Sequence, residues 1–165
     1  MLPIFGNLSH KLRVFVEINS KDKLLLKRLQ TNADVTVSEL ADEVSLSVNA
    51  CWRRVQRLQE VYMLRKVAIL DAAKLGLGLI TFVSIKTNQH NDEWLAGFAK
   101  GVSRIDEVTE FYRLSGETDY LLKVVVRDVT DYDRVYKKII SAAPLSDVSS
   151  SFVMETMKAT TALPI

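Results

Sequence analysis

The second half of the chain switches its hydrophobic period in an order that few folds accept. Leu79 to Thr87 reads as a strand, and Trp94, Leu95, Phe98, Ala99 and Val102 then recur at helical spacing. Val108 to Leu114 reads as a strand, Ser115-Gly116-Glu117-Thr118 as a turn, and Tyr120 to Arg127 as a strand centred on three valines, Val124 to Val126. Tyr132, Val135, Tyr136, Ile139 and Ile140 return to helical spacing, and Ser149 to Met157 reads as a last strand. The order β-α-β-β-α-β is that of a ferredoxin-like split arrangement. Such a sheet carries its helices on one face. Leu79, Val83 and Val125 are expected on the other, and the run Leu121 to Val126 is too apolar to face water. Self-association through this domain is the expected cover.

The first half is helical. From Asp22, the residues Leu25, Leu26 and Leu29 line one face. Asn32-Ala33-Asp34 reads as a turn, and Thr36-Val37-Ser38-Glu39 has the capping-box pattern that opens a second helix with Leu40, Ala41 and Val44 inside. Ser47 caps a third, whose apolar positions are Val48, Cys51, Val55, Leu58 and Tyr62. Three short helices with so brief a break before the third are the pattern of a helix-turn-helix. Leu64 to Leu70 is expected to form a strand or wing, and Asp71 to Gly78 a hinge. The fold class is therefore α+β, divided as an arm over 1–20, a helix-turn-helix domain over 21–70, a hinge over 71–78 and a βαββαβ domain over 79–165.

Charge follows this division. Residues 1–70 hold 11 Lys and Arg against 7 Asp and Glu, whereas residues 71–165 hold 11 against 13. Any polyanion is expected on the first half. The single Cys51 excludes an internal disulfide framework and fits a reducing cytoplasm. Two His and one Cys are too few for a structural zinc site. The apolar run from Leu75 to Ile85 falls far short of the roughly 20 residues of a membrane span. Met1 to Leu8 lacks the basic start of a secretion signal. His10 and His90 have no nucleophile partner, and Gly76-x-Gly78 lacks a phosphate-loop context. No catalytic residue, metal site or cofactor is expected.

The third helix carries the sharpest signal. With Cys51, Val55 and Leu58 facing the core, Asn49, Arg53, Gln56 and Arg57 fall opposite, with Trp52 and Arg54 on the flanks. A recognition helix reads bases with its N-terminal part, where Asn pairs with adenine and Arg with guanine. Ser47, Asn49, Trp52, Arg53, Gln56 and Arg57 are therefore the candidate contacts to double-stranded DNA. Arg57 is placed for phosphate, and Arg54 is expected to pair with an acid inside the domain. An amphipathic helix with a solvated basic face is the alternative. In the turn Ser115 to Tyr120, Gly116 allows close backbone approach, and Glu117 and Asp119 can receive an ammonium group. A hairpin turn with solvated acids is the alternative there.

Five stretches carry a resemblance: Asp22 to Gln30, Ser47 to Leu58, Asp71 to Gly76, Tyr112 to Lys123, and Lys158 to Ile165. In this order and spacing the chain resembles the Lrp/AsnC family, the leucine-responsive and asparagine-regulator proteins. The resemblance implies a winged helix-turn-helix and a βαββαβ effector domain. It implies transcription regulation, homodimers that assemble into octamers, and a small amino-acid effector held between subunits. It places the effector near Gly116, Glu117, Thr118, Asp119 and Tyr120, with Ser149, Ser150 and Ser151 as further contacts. The stretches around Leu75 to Ile85, Tyr112 to Asp119 and Ser149 to Met154 are most similar to the subgroup that includes cysteine-responsive regulators.

Two departures stand out. Asn49-Ala50 replaces a common Thr-Pro, and Tyr62 stands where Gly is usual, which is costly if that position needs a left-handed backbone. Two other classes share the design: a ligand-independent architectural DNA-binding protein, and an enzyme like the sirohaem decarboxylases. The latter would want His or Arg in the cleft between domains, for which His90 alone is a poor provision.

Overall fold

The structure is a computed structural model that describes residues 18–165; most of the expected N-terminal arm lies outside them. Two compact units form. The helical unit runs to Ala68 and includes Thr160–Ile165, and the sheet unit spans Ile69–Ala159.

In the helical unit, α1 (Ser20–Thr31), α2 (Val37–Glu43) and α3 (Val48–Tyr62) each begin at a side chain that accepts a first-turn backbone N–H: Asn19, Thr36 and Ser47. The caps of α1 and α2 are full capping boxes, closed by Asp22 and Glu39. Leu25, Leu26 and Leu29 of α1, Leu40 and Ala41 of α2, Val44, and Cys51, Val55 and Leu58 of α3 form the core. Ser45, between α2 and α3, has φ 52°, a left-handed conformation that folds the two helices back on each other. The feared strain at Tyr62 does not arise. Tyr62 is helical, and Met63 after it is extended at φ −96°. The last six residues, placed by sequence in the second domain, group with this unit. The Gln30 side chain donates to the Leu163 carbonyl at 3.3 Å and accepts its N–H at 2.6 Å, while Ile165 packs against the core. Leu64 to Leu70, expected as a strand or wing, has neither helix nor strand.

The sheet unit is built from β1 (Leu79–Lys86), α4 (Asp92–Val102), β2 (Val108–Arg113), β3 (Tyr120–Val126), α5 (Val129–Ile140) and β4 (Asp147–Phe152). The sheet order is β2-β3-β1-β4, with every neighbouring pair antiparallel. Strand alternation divides it into two faces. Thr81, Val83 and Ile85 of β1 and Leu122, Val124 and Val126 of β3 are buried with Phe98, Val102, Tyr132, Val135 and Ile139 of the helices. Val83 is thus in the helix-covered core and not on the open face, and Leu79 packs against the same core. Val125 is on the open face. There Ile80 sits opposite Val125, Phe82 opposite Lys123, and Ser84 opposite Leu121, all half-buried. At Gly101 of α4 a Cβ would lie 2.9 Å from that of Ala142, so the absent side chain lets α4 meet the segment after α5.

Candidate functional site

The helix α3 presents the predicted DNA-contact residues as one surface. The Ser47 hydroxyl accepts the Ala50 N–H at 3.3 Å, which fixes the start of the helix and spends that lone pair on the cap. Asn49 and Arg53 are exposed, and among the described residues neither side chain has a hydrogen-bond or ion-pair partner. Gln56 is half-buried beside them. Trp52 is 53% exposed and Val48, one turn earlier, 50%. Arg57 is exposed but tethered: its Nη2 donates to Asp22 Oδ2 at 3.1 Å. Arg54 donates to Asp22 Oδ1 at 2.9 Å, the internal pairing anticipated for it. Cys51 is fully buried, and burial pushes its thiol pKa up, the state of an inert core cysteine.

The loop before β3 is the second element. Gly116 has φ +123°, a region that favours glycine, and no atom lies within 4 Å of where its Cβ would be. Its backbone is therefore open to close approach. Glu117 is exposed and accepts from Lys86 Nζ at 2.9 Å; the lysine holds the Glu117 carboxyl below its ordinary pKa, and Glu117 raises that of Lys86. Asp119 Oδ2 accepts the Thr87 N–H at 2.8 Å, and the Asp119 N–H donates to the Ile85 carbonyl at 3.0 Å. The loop is thereby pinned to the end of β1, with Thr118 and Asp119 half-buried.

Two of the expected effector residues lie on the helix-covered side of the sheet. Tyr120 is 4% exposed, its ring among Trp94, Phe98 and Phe111, and burial raises its hydroxyl pKa. It is a core residue. Ser150 also faces the helices, where its hydroxyl bonds to that of Tyr132. Ser149 and Ser151 alternate onto the open face. Ser149 pairs with Ser84, near the pinned loop, but Ser151 pairs with Phe82, two residues further along β1, or ~7 Å away. The sequence reading missed Lys86 and Thr87, which organise the loop, and Asp22, which grips α3. For Asp22 a signal existed: Asn19 three residues ahead of it spells a capping box.

Comparison with known proteins agrees with both units. Residues 18–59 match the AsnC-type helix-turn-helix domain, and residues 80–163 match the Lrp/AsnC ligand binding domain. The chain is 45% identical over 146 residues to the DNA-binding transcriptional activator DecR of Escherichia coli strain K12, covering 87% of this chain and 96% of that protein. It is 43% identical over 150 residues to the glutamate uptake regulatory protein of Zymomonas mobilis, covering 90% and 92%. Among solved structures, an AsnC family transcriptional regulator from Agrobacterium tumefaciens superposes with a TM-score of 0.85 at 45% identity, covering 89% of this chain and 97% of that one. A transcriptional regulator from Neisseria meningitidis, solved as a complex with L-Met, superposes at 0.84 with 32% identity, covering 90% and 97%. These relatives are regulators and not enzymes, and no helix among the described residues is long and apolar enough to cross a membrane. A helix-turn-helix unit followed by a ligand-binding sheet unit, matched over both, makes this chain a member of the Lrp/AsnC family of DNA-binding, ligand-responsive transcription regulators.

Proposed function

We propose that α3 enters the major groove of duplex DNA and that Asn49 and Arg53 read base edges there. Ser47, Trp52 and Gln56 contact the same groove, and Arg57 reaches a phosphate. The observation that carries this is the unpartnered, exposed pair Asn49 and Arg53 on the first turns of a Ser47-capped helix. The effector is a small amino acid. Its carboxylate meets the open backbone at Gly116 and its ammonium the free oxygens of Asp119 or Glu117, with Thr118 and Ser149 beside them and Ser151 further along the face. L-Met is bound by the Neisseria relative and glutamate is named in the Zymomonas one, so methionine, glutamate and cysteine are the first candidates. The half-buried open face, with Ile80, Phe82, Leu121 and Val125, joins two copies, and dimers assemble into octamers in the cytoplasm. An effector held where subunits meet favours one assembly, and with it one spacing of the recognition helices.

One titration tests both halves. A duplex selected by the protein from a random pool is bound with and without each of the 20 amino acids. Arg53→Ala should cost about 1–3 kcal/mol on the selected duplex and relax sequence preference. Asp119→Ala should retain that binding but lose the amino-acid response, a coupling of about 1–3 kcal/mol in the native protein. Unchanged binding by Arg53→Ala rejects the helix face. A response intact in Asp119→Ala rejects the loop.

A further inference from the structure

Asp22 is a fully buried carboxylate in the helical unit, and neither the core nor the proposed DNA surface accounts for it. Its Oδ1 accepts from Arg54 Nη1 at 2.9 Å, and its Oδ2 accepts from Arg57 Nη2 at 3.1 Å and from the Asn19 N–H at 3.3 Å. Asn19 Oδ1 accepts from the same Arg54 nitrogen at 3.1 Å. The start of α1 therefore grips α3 by two arginines one helical turn apart. The other buried carboxylate among the described residues, Asp131, is served by Arg127 and Arg134, its own near neighbours in sequence. Asp22 draws its arginines from 32 and 35 residues away, so it ties two helices together.

The contacts of Cys51, Val55 and Leu58 hold α3 against the core, but apolar contacts are not directional. A roll of about 20° at a helix radius of about 6 Å moves a side chain by about 2 Å, enough to lose a hydrogen bond to a base edge. Charge-assisted bonds to a fixed carboxylate resist that roll. They also leave Arg57 with its side chain 49% exposed and donors other than Nη2 free. We propose that Asp22 is a positioning residue for DNA recognition: it sets the roll of α3 and aims the outer edge of the Arg57 guanidinium at a phosphate. This rests on α3 being the DNA-facing helix.

The test uses the full chain, a duplex selected by the native protein and a random duplex of equal length. Asp22→Asn keeps the size and one acceptor oxygen but removes the charge that holds both arginines. Random-duplex affinity should stay or rise by up to about 5-fold, with a salt dependence steeper by about one counterion. The selected-to-random ratio should fall by about 10-fold or more. A carboxylate that serves stability alone would leave the ratio unchanged, and that result overturns the proposal. Should Asp22→Asn fail to fold, Arg57→Lys decides, because it leaves Asp22, the cap and Arg54 in place. Random affinity should stay within about 2-fold and the ratio should fall; a native ratio overturns the proposal. Arg53→Ala, which does not touch Asp22, separates the two levels. If it weakens the selected complex while the other two variants keep the ratio, α3 faces DNA and Asp22 does not position it. If Arg53→Ala is also silent, α3 is not the DNA-facing helix and both proposals fall.

Discussion

The two units solve the problem of burial differently. The helical unit completes its core with nine buried residues drawn from its own three helices and the short turn after α2. What it offers a partner is charge on a solvated helix face. The sheet unit covers one face with α4 and α5 and leaves Ile80, Phe82, Leu121 and Val125 only half-buried on the other. The charges of that face are paired, since Lys123 donates to Glu110 at 2.8 Å, and Tyr112 donates to the same carboxylate at 2.7 Å. What it offers is apolar area with few free charges, the composition of an interface core. The helical unit encloses its core between its own helices, whereas the sheet unit leaves one apolar face half-buried.

Breaking the sheet face should have the largest effect. Phe82→Glu removes an aromatic from each copy and puts two carboxylates in its place. Losing two buried Phe side chains alone costs roughly 5 kcal/mol of association, so light scattering should show monomers at micromolar protein. The variant should keep its fold, because Phe82 points away from the α4–α5 core. An unchanged assembly would mean that another surface joins the copies.

Next come paired cavities, one in each unit. Leu58→Ala and Leu122→Ala each delete a fully buried side chain, at a cost of about 2–5 kcal/mol. If the units are energetically separate, Leu58→Ala lowers the melting of the helical unit and abolishes DNA binding while the assembly persists. Leu122→Ala should do the reverse, melting the sheet unit and the assembly first. Calorimetry with light scattering on both variants checks this; identical melting of the whole chain in each would show one cooperative block.

The same contrast explains what could be read from the sequence. The helices and the strand order were legible because each period persists over several turns or pairs. Which face a strand buries was not legible in β1. Leu79, Ile80, Phe82, Val83 and Ile85 put apolar residues on both faces, and only the pairing with β3 decides that Val83 goes in and Phe82 out. The Ser149–Ser151 run gives no alternation at all, so Ser150 could not be told from its neighbours. β4 stops at Phe152, opposite Thr81, because β1 has almost run out of residues to pair with, a limit set by a strand some 70 residues away. Asp22 with Arg54 and Arg57, and Gln30 with Leu163, are long-range pairs; the phase of α3 foretells an acid for Arg54 but does not say which. The helix face of α3 was legible, since a helix sets its own phase.

The smallest expected effect concerns acid. Asp131 closes the first turn of α5, its N–H bonded to Asp128, and its side chain is 6% exposed. Its Oδ2 accepts from Arg127 Nε at 3.2 Å and its Oδ1 from Arg134 Nη2 at 2.7 Å. Arg127 first, then Arg134, hold the carboxyl well below the usual carboxylate range, against the opposing pull of burial. A carboxylate whose folded pKa lies below its unfolded value of about 3.9 adds stability above that value, and the contribution drains away as pH falls through the folded pKa. The native sheet unit should therefore lose stability on acidification below about pH 4. Asp131→Asn, which cannot ionise, should be less stable at pH 7 and show a shallower acid decline, so that the gap between the two closes at low pH. Both arginines are about half or more exposed, so solvent and salt screen the pairs and the gap should narrow as ionic strength rises. Chemical denaturation of the two proteins at neutral and acidic pH, each at low and high salt, measures it. A gap independent of both pH and salt would assign Asp131 to hydrogen bonding of the helix start and not to its charge.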